Sequence, residues 1–62
     1  MRIKHFREKK NTSQESLAEQ LGIGQSTVAM WENGTNKPRA DKLPEIARVL
    51  GCEVSDLFEK EG

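Results

Sequence analysis

Apolar positions recur at helical spacing through most of this 62-residue chain. Ile3, Phe6, Arg7 and Lys10 fall at i, i+3, i+4 and i+7, which predicts a first helix over residues 2–10 with Ile3 and Phe6 inward. Lys9 and Lys10 suit the negative end of its dipole, and Asn11 tolerates the left-handed conformation that ends it. Thr12 or Ser13 then caps a second helix, Gln14–Leu21, with Leu17, Ala18 and Leu21 on one face. Gly22 stands where a positive φ ends a helix. Ile23 and Gly24 leave a very short connection to a third helix, Gln25–Glu32. Asn33 and Gly34 end it, and a polar loop runs to Arg39. Asp41 reads as the cap of a fourth helix, Lys42–Leu50, with Leu43, Ile46, Ala47 and Leu50 inward. Pro44 is tolerated in its first turn, where the missing N–H has no helical partner. Gly51 ends that helix. Val54, Leu57 and Phe58 outline a short fifth helix, starting between Glu53 and Ser55, and Glu59–Gly62 reads as a polar tail. No segment alternates with period two over strand length. The expectation is an all-α, compact five-helix bundle, one domain spanning 1–62.

The second and third helices are joined too tightly to lie as a relaxed antiparallel hairpin. Such a pair crosses at roughly 90–120°, the helix-turn-helix arrangement. Ala18 falls where the two come closest. Leu17, Leu21, Ile23, Val28 and Trp31 are the positions that would bury the unit, and all five are apolar. On the third helix, at about 100° per residue, Gln25, Ser26, Ala29 and Met30 lie within about 140° of one another, and Val28 and Trp31 lie opposite. The outward face of such a helix is the one that enters a major groove. A Gln can bridge N6 and N7 of adenine, Ser reaches several base edges, and Ala or Met suits a thymine methyl. The helix carries no Arg or Lys, so direct readout is expected to favour A·T pairs.

Composition bears on this reading in two ways. Ten Lys+Arg balance ten Asp+Glu, whereas a nucleic-acid-binding domain is usually basic. Along the chain the balance is uneven: residues 1–14 carry net +4, 15–36 net −3, 37–48 net +2 and 49–62 net −3. Two basic blocks therefore flank the third helix, and the formal neutrality predicts modest non-specific affinity. A domain this small buries only roughly 60% of its unfolded surface. Cys52 is the only cysteine and His5 the only histidine, so neither a disulfide within the chain nor a Cys/His zinc site is expected. Dimerisation is the expected source of further burial. Cys52 reads as a small buried hydrophobe. No nucleophile–base pair stands out, so neither an enzyme nor a cofactor is expected. No run approaches the ~20 apolar residues of a membrane span, and Met1–Lys4 leads into no apolar signal region. A cytoplasmic protein without a small-molecule substrate is the expectation.

Ser13-Gln14-Glu15, Leu17-Ala18, Leu21-Gly22-Ile23, Gln25-Ser26-Thr27-Val28, Trp31-Glu32-Asn33-Gly34, Lys37-Pro38 and Leu50-Gly51 together resemble the Cro and phage-repressor type of helix-turn-helix domain, the xenobiotic-response-element family. The resemblance runs from Ile3 to Phe58. It implies a lambda-repressor-like five-helix fold that binds operator DNA as a homodimer. It further implies base contacts from Gln25, Ser26, Ala29 and Met30. Backbone contacts would come from Gln14, Thr27, Asn36, Lys37 and Arg39, with Gln14 also bracing Gln25. Arg7 and Glu32 stand where some members pair an arginine with a glutamate. Val54 and Phe58 are the candidate dimer contacts. Three positions depart from the pattern: Gly24 replaces the usual Ser or Thr cap, Met30 replaces a common Arg or Gln, and Arg39 replaces a frequent capping Ser. A rival reading is an antitoxin-like module that binds a partner protein and regulates its own operon.

Overall fold

The computed structural model describes residues 1–58, so the polar tail at 59–62 lies outside the described residues. Helix α1 spans Ile3–Lys9, α2 Gln14–Leu21, α3 Gln25–Asn33 and α4 Leu43–Leu50. Two 3-10 segments, Ala40–Lys42 and Val54–Leu57, complete the described chain, with no strand among the described residues. The expected fifth helix is therefore a single 3-10 turn, and four helices form the bundle. The reason is local. Only Leu57 of that segment is fully buried, so little apolar surface holds a longer helix in place, and the Asp56 carboxylate accepts from the Glu53 N–H at 3.0 Å to cap the start of the turn.

The helix ends follow residue chemistry. The Ser13 hydroxyl accepts from the Ser16 N–H at 3.0 Å, which settles the choice of cap for α2. Asn11 takes φ 55°, a conformation open to Asn through its short polar side chain, and breaks the chain between α1 and α2. Gly22, at φ 70°, returns it from α2 to α3. Lys10 plays a different part from the one its position on α1 suggests. Its ammonium donates to the Val49 carbonyl at 2.8 Å, satisfying an orphan acceptor at the end of α4.

The fourth helix begins later than its pattern predicts. Pro44 has no N–H to donate back to Ala40, so the preceding turn closes with 3-10 bonds, Lys42 N–H to the Arg39 carbonyl at 2.9 Å among them. Asp41 falls within this turn and is not the cap of the helix. Its exposed carboxylate sits 4.0 Å from the Arg39 guanidinium instead.

One core collects the inward faces: Ile3 of α1, Leu17, Ala18 and Leu21 of α2, Val28 and Trp31 of α3, Leu43, Ile46, Ala47 and Leu50 of α4, and Leu57. Phe6, Ile23 and Cys52, all expected inside, are half-buried at its margin. Phe6 lies edge-on to His5 with the Arg2 guanidinium 5.2 Å from its ring. Burial and the nearby Asp56 and Glu53 carboxylates push the Cys52 thiol up from its ordinary range, which keeps it in the unreactive thiol form. The two ends of the described residues are tied together, since the Arg2 N–H donates to the Leu57 carbonyl at 2.8 Å.

Candidate nucleic-acid interface

Helix α3 is gripped from below by Val28, fully buried, and Trp31, 6% exposed. Ala18 of α2 is buried at 3% in the same core. The opposite side of α3 looks out. Gln25 and Ser26 are exposed, and Ala29 and Met30 are half-buried. Ala29 is partly covered because it lines a shallow hollow with Lys4, Gln14, Glu32 and Asn33.

Beneath this face lies a connected set of polar side chains. Arg7 donates from Nε to Glu32 Oε2 at 2.6 Å and from Nη2 to Oε1 at 3.1 Å. Its Nη1 donates to the Thr12 carbonyl at 2.7 Å, which braces the turn after α1. The side chains are only 11% and 5% exposed, so the bidentate pair is largely shielded from solvent. Gln14 Nε2 donates to Glu32 Oε1 at 3.0 Å, and Gln25 Nε2 donates to Gln14 Oε1 at 3.5 Å. Four side chains from three helices thus run from the interior out to the tip of α3.

Burial pushes the Glu32 carboxyl upward, but hydrogen bonds from Arg7 and Gln14, with the charges of Arg7 and Lys4, outweigh it and leave the group below its ordinary value of about 4.5. The bond to Glu32 likewise raises the Arg7 guanidinium further above its already high value. The folded state therefore holds Glu32 ionised more strongly than the unfolded state does. Its contribution to stability is present above pH ~4.5 and is lost as pH falls through the lowered folded value. Urea midpoints measured down through that window should fall, and less steeply in Glu32→Gln. Equal slopes for the two proteins would assign the acid sensitivity to other carboxylates.

The remaining residues singled out in the sequence frame the face. Thr27 is half-buried in the first turn of α3, its N–H bonded to the Gly24 carbonyl at 3.1 Å. After α3, Gly34 adopts φ 83° and the loop folds back, with the Asn36 N–H on the Met30 carbonyl at 3.2 Å. Asn36, Lys37 and Arg39 are exposed on this loop. Val54 is half-buried, and Phe58 is 49% exposed beyond the last turn.

Three of the five cations in the first basic block have distinct places. Arg7 is spent internally, Lys10 closes α4, and Lys4 alone borders the hollow beside Gln14 and Ala29. Sequence reasoning missed Lys4 as an individual. The signal was its i, i+3 spacing to Arg7, which puts both on one side of α1.

Two helices joined by a glycine turn, the second with a polar outer face, define a helix-turn-helix domain. A helix-turn-helix family, HTH_3, matches residues 3–57, and the chain belongs to this Cro/C1-type, xenobiotic-response-element family. It is 39% identical over 57 residues to an HTH-type transcriptional regulator of Archaeoglobus fulgidus, covering 92% of this chain and 80% of that protein. It is 30% identical over 60 residues to the transcriptional activator BcrR of Enterococcus faecalis, 97% of this chain and 29% of the activator. It is also 27% identical over 56 residues to the cryptic phage CTXphi transcriptional repressor RstR of Vibrio cholerae, 90% of this chain and 50% of that repressor. Membership places the protein among DNA-binding transcription regulators. No helix among the described residues is long and apolar enough to cross a membrane.

Proposed function

We propose that this protein is a sequence-specific repressor that binds a near-palindromic operator as a homodimer. The observation that carries the reading is the outer end of α3, where exposed Gln25 and Ser26 stand clear of the domain while Val28 and Trp31 hold the helix rigidly from behind. Gln25, Ser26, Ala29 and Met30 face bases. Lys4, Gln14, Thr27, Asn36, Lys37 and Arg39 meet phosphates on either side and set the register without carrying sequence information. Exposed Phe58, with half-buried Val54, supplies apolar surface for a second subunit. Two subunits then present their α3 helices to successive major grooves, ~34–36 Å apart. Occupying promoter DNA is enough to repress, and one relative is named a phage repressor.

Selection of bound sites from random duplex DNA tests this directly, with sedimentation of the free protein alongside. Gln25→Ala is expected to weaken operator binding by ~1–3 kcal/mol and leave random DNA unaffected. Equal loss on both would remove the base-reading role. Lys37→Ala and Arg39→Ala should each lower affinity for every sequence and reduce the salt slope by about one. An unchanged slope would mean that the loop stays clear of the phosphates.

A further inference from the structure

We propose that Asn33, the last residue of α3, is a site of spontaneous deamidation, and that the carboxylate it gains loosens the hold on DNA. The chemistry is local. The backbone nitrogen after an asparagine can attack the asparagine side chain, at a rate set by what shields that nitrogen. The sequence holds three asparagines, and only Asn33 is followed by glycine. Glycine has no Cβ to stand over its own nitrogen. Asn33, Gly34 and Thr35 are all exposed. Gly34 sits at φ 83°, and no atom lies within 4 Å of the place a Cβ would take, so the turn is open to water.

Hydrogen bonding separates the three asparagines further. After Asn11, the Thr12 N–H is held by the Arg7 carbonyl at 3.0 Å, and Thr12 carries a branched Cβ. After Asn36, the Lys37 N–H is held by Asn36 Oδ1 itself at 3.0 Å. At Gly34 the acceptor one turn back, the Met30 carbonyl, receives the Asn36 N–H at 3.2 Å, so the Gly34 N–H at most shares it. The Asn33 carboxamide is meanwhile held and polarised. Its Oδ1 accepts the Thr35 N–H at 2.8 Å, a donor aimed at the oxygen on which negative charge grows during attack. Attack requires Asn33 to leave the helical conformation, and the last residue of a helix frays at little cost.

The reaction balances with water alone. The Gly34 nitrogen gives its proton to hydroxide and bonds to Asn33 Cγ. The Cγ–Nδ2 bond breaks, and the amide nitrogen takes a proton from water and leaves as ammonia. The cyclic imide that remains adds water at either carbonyl and opens to aspartate or isoaspartate. Both products add one negative charge at position 33, and isoaspartate also inserts a methylene into the backbone. Asn33 borders the hollow lined by Lys4, Gln14 and Ala29, and leads into the loop of Asn36, Lys37 and Arg39. These are groups that meet phosphates or bases in the function proposed above. The effect on DNA rests on that reading, and the reaction does not. A carboxylate placed there repels phosphate and cancels one cation.

The test incubates the whole chain at mildly alkaline pH, where the attacking nitrogen loses its proton more readily, and follows each asparagine by peptide mapping and mass spectrometry. Most of the product should lie at position 33, with Asn11 and Asn36 nearly intact. Equal conversion at all three, or none at Asn33, overturns the proposal. Asn33→Gln should abolish the dominant product, because its longer side chain would have to close a larger ring. Binding is then compared for unmodified protein, separated deamidated protein and Asn33→Asp, which carries the charge without the extra methylene. The last two should bind operator and random duplex more weakly, with the salt slope smaller by about one per modified subunit. Affinity and slope equal to those of unmodified protein in both overturn the effect on DNA. If unmodified protein binds no duplex, the function proposed above falls and takes that effect with it, while the peptide map decides the reaction separately.

Discussion

Arg7→Met is expected to destabilise the domain by about 3 kcal/mol, near the lower end of what removing one partner of a buried ion pair costs. Methionine keeps most of the aliphatic stem, so little packing is lost. What goes is the charge. Glu32, with a side chain only 5% exposed, would keep a single donor, Gln14, and the Thr12 carbonyl would lose the guanidinium that accompanies it. At roughly 4–8 °C per kcal/mol for a domain of this size, the midpoint should drop by about 12–24 °C. Thermal unfolding followed by circular dichroism measures this. The double variant Arg7→Met/Glu32→Met should recover most of the loss, because replacing both members of a buried pair with apolar groups is often near neutral. A loss under about 1 kcal/mol in the single variant would show that solvent screens the pair as it does a surface bridge.

Leu57→Ala is expected to cost about 2–5 kcal/mol, as large-to-small changes do at fully buried sites. Leu57 is 0% exposed, and its carbonyl receives the Arg2 N–H, so one residue secures both ends of the described chain. A domain this small has a margin of roughly 3–5 kcal/mol. Leu57→Ala should therefore be largely unfolded at ambient temperature when dilute, and urea titration would show a collapsed or missing native baseline. Phe58→Ala is the contrasting control. Its side chain is half-exposed, so monomer stability should change by under about 1 kcal/mol while sedimentation shows weaker self-association. A native-like urea midpoint in Leu57→Ala would mean that the last turn contributes little to the core.

These two residues also show where legibility ended. Spacing grouped Leu57 with Val54 and Phe58 in one short apolar run, and folding buries Leu57 fully while Phe58 stays half-exposed. The secondary structure of that run did not follow from spacing, because a run of about two turns cannot by itself distinguish an α-helix from a 3-10 turn. The boundaries of α2 were readable from Ser13 and Gly22, since a cap and a left-handed glycine are local chemistry. The start of α4 was misread because Asp41 lies inside the 3-10 turn Ala40–Lys42 that precedes the helix, with its carboxylate near Arg39 rather than on a helix N–H. Ala29 and Met30 were placed outward by the wheel and are half-covered. A wheel knows the angle around one axis and nothing of neighbours such as Lys4 and Gln14, which border the hollow that Ala29 lines.

The sequence by itself determined the four helices, the tight turn between α2 and α3, the apolar set that becomes the core, and the family. All of these rest on spacing within about twenty residues and on the conformational limits of single residue types. The resemblance had already implied the pairing of Arg7 with Glu32, but only the tertiary structure showed that pair to be shielded and decided what Lys4 and Lys10 are for. Arg7, Lys4 and Lys10 lie within seven residues of one another and read as one basic block. Folding sends the first to Glu32, leaves the second beside the candidate reading face, and sends the third to the end of α4. Their partners lie 25 and 39 residues away in the two bonded cases. A charge has no periodicity of its own to reveal a distant partner, so its role waits on which surfaces the core brings together.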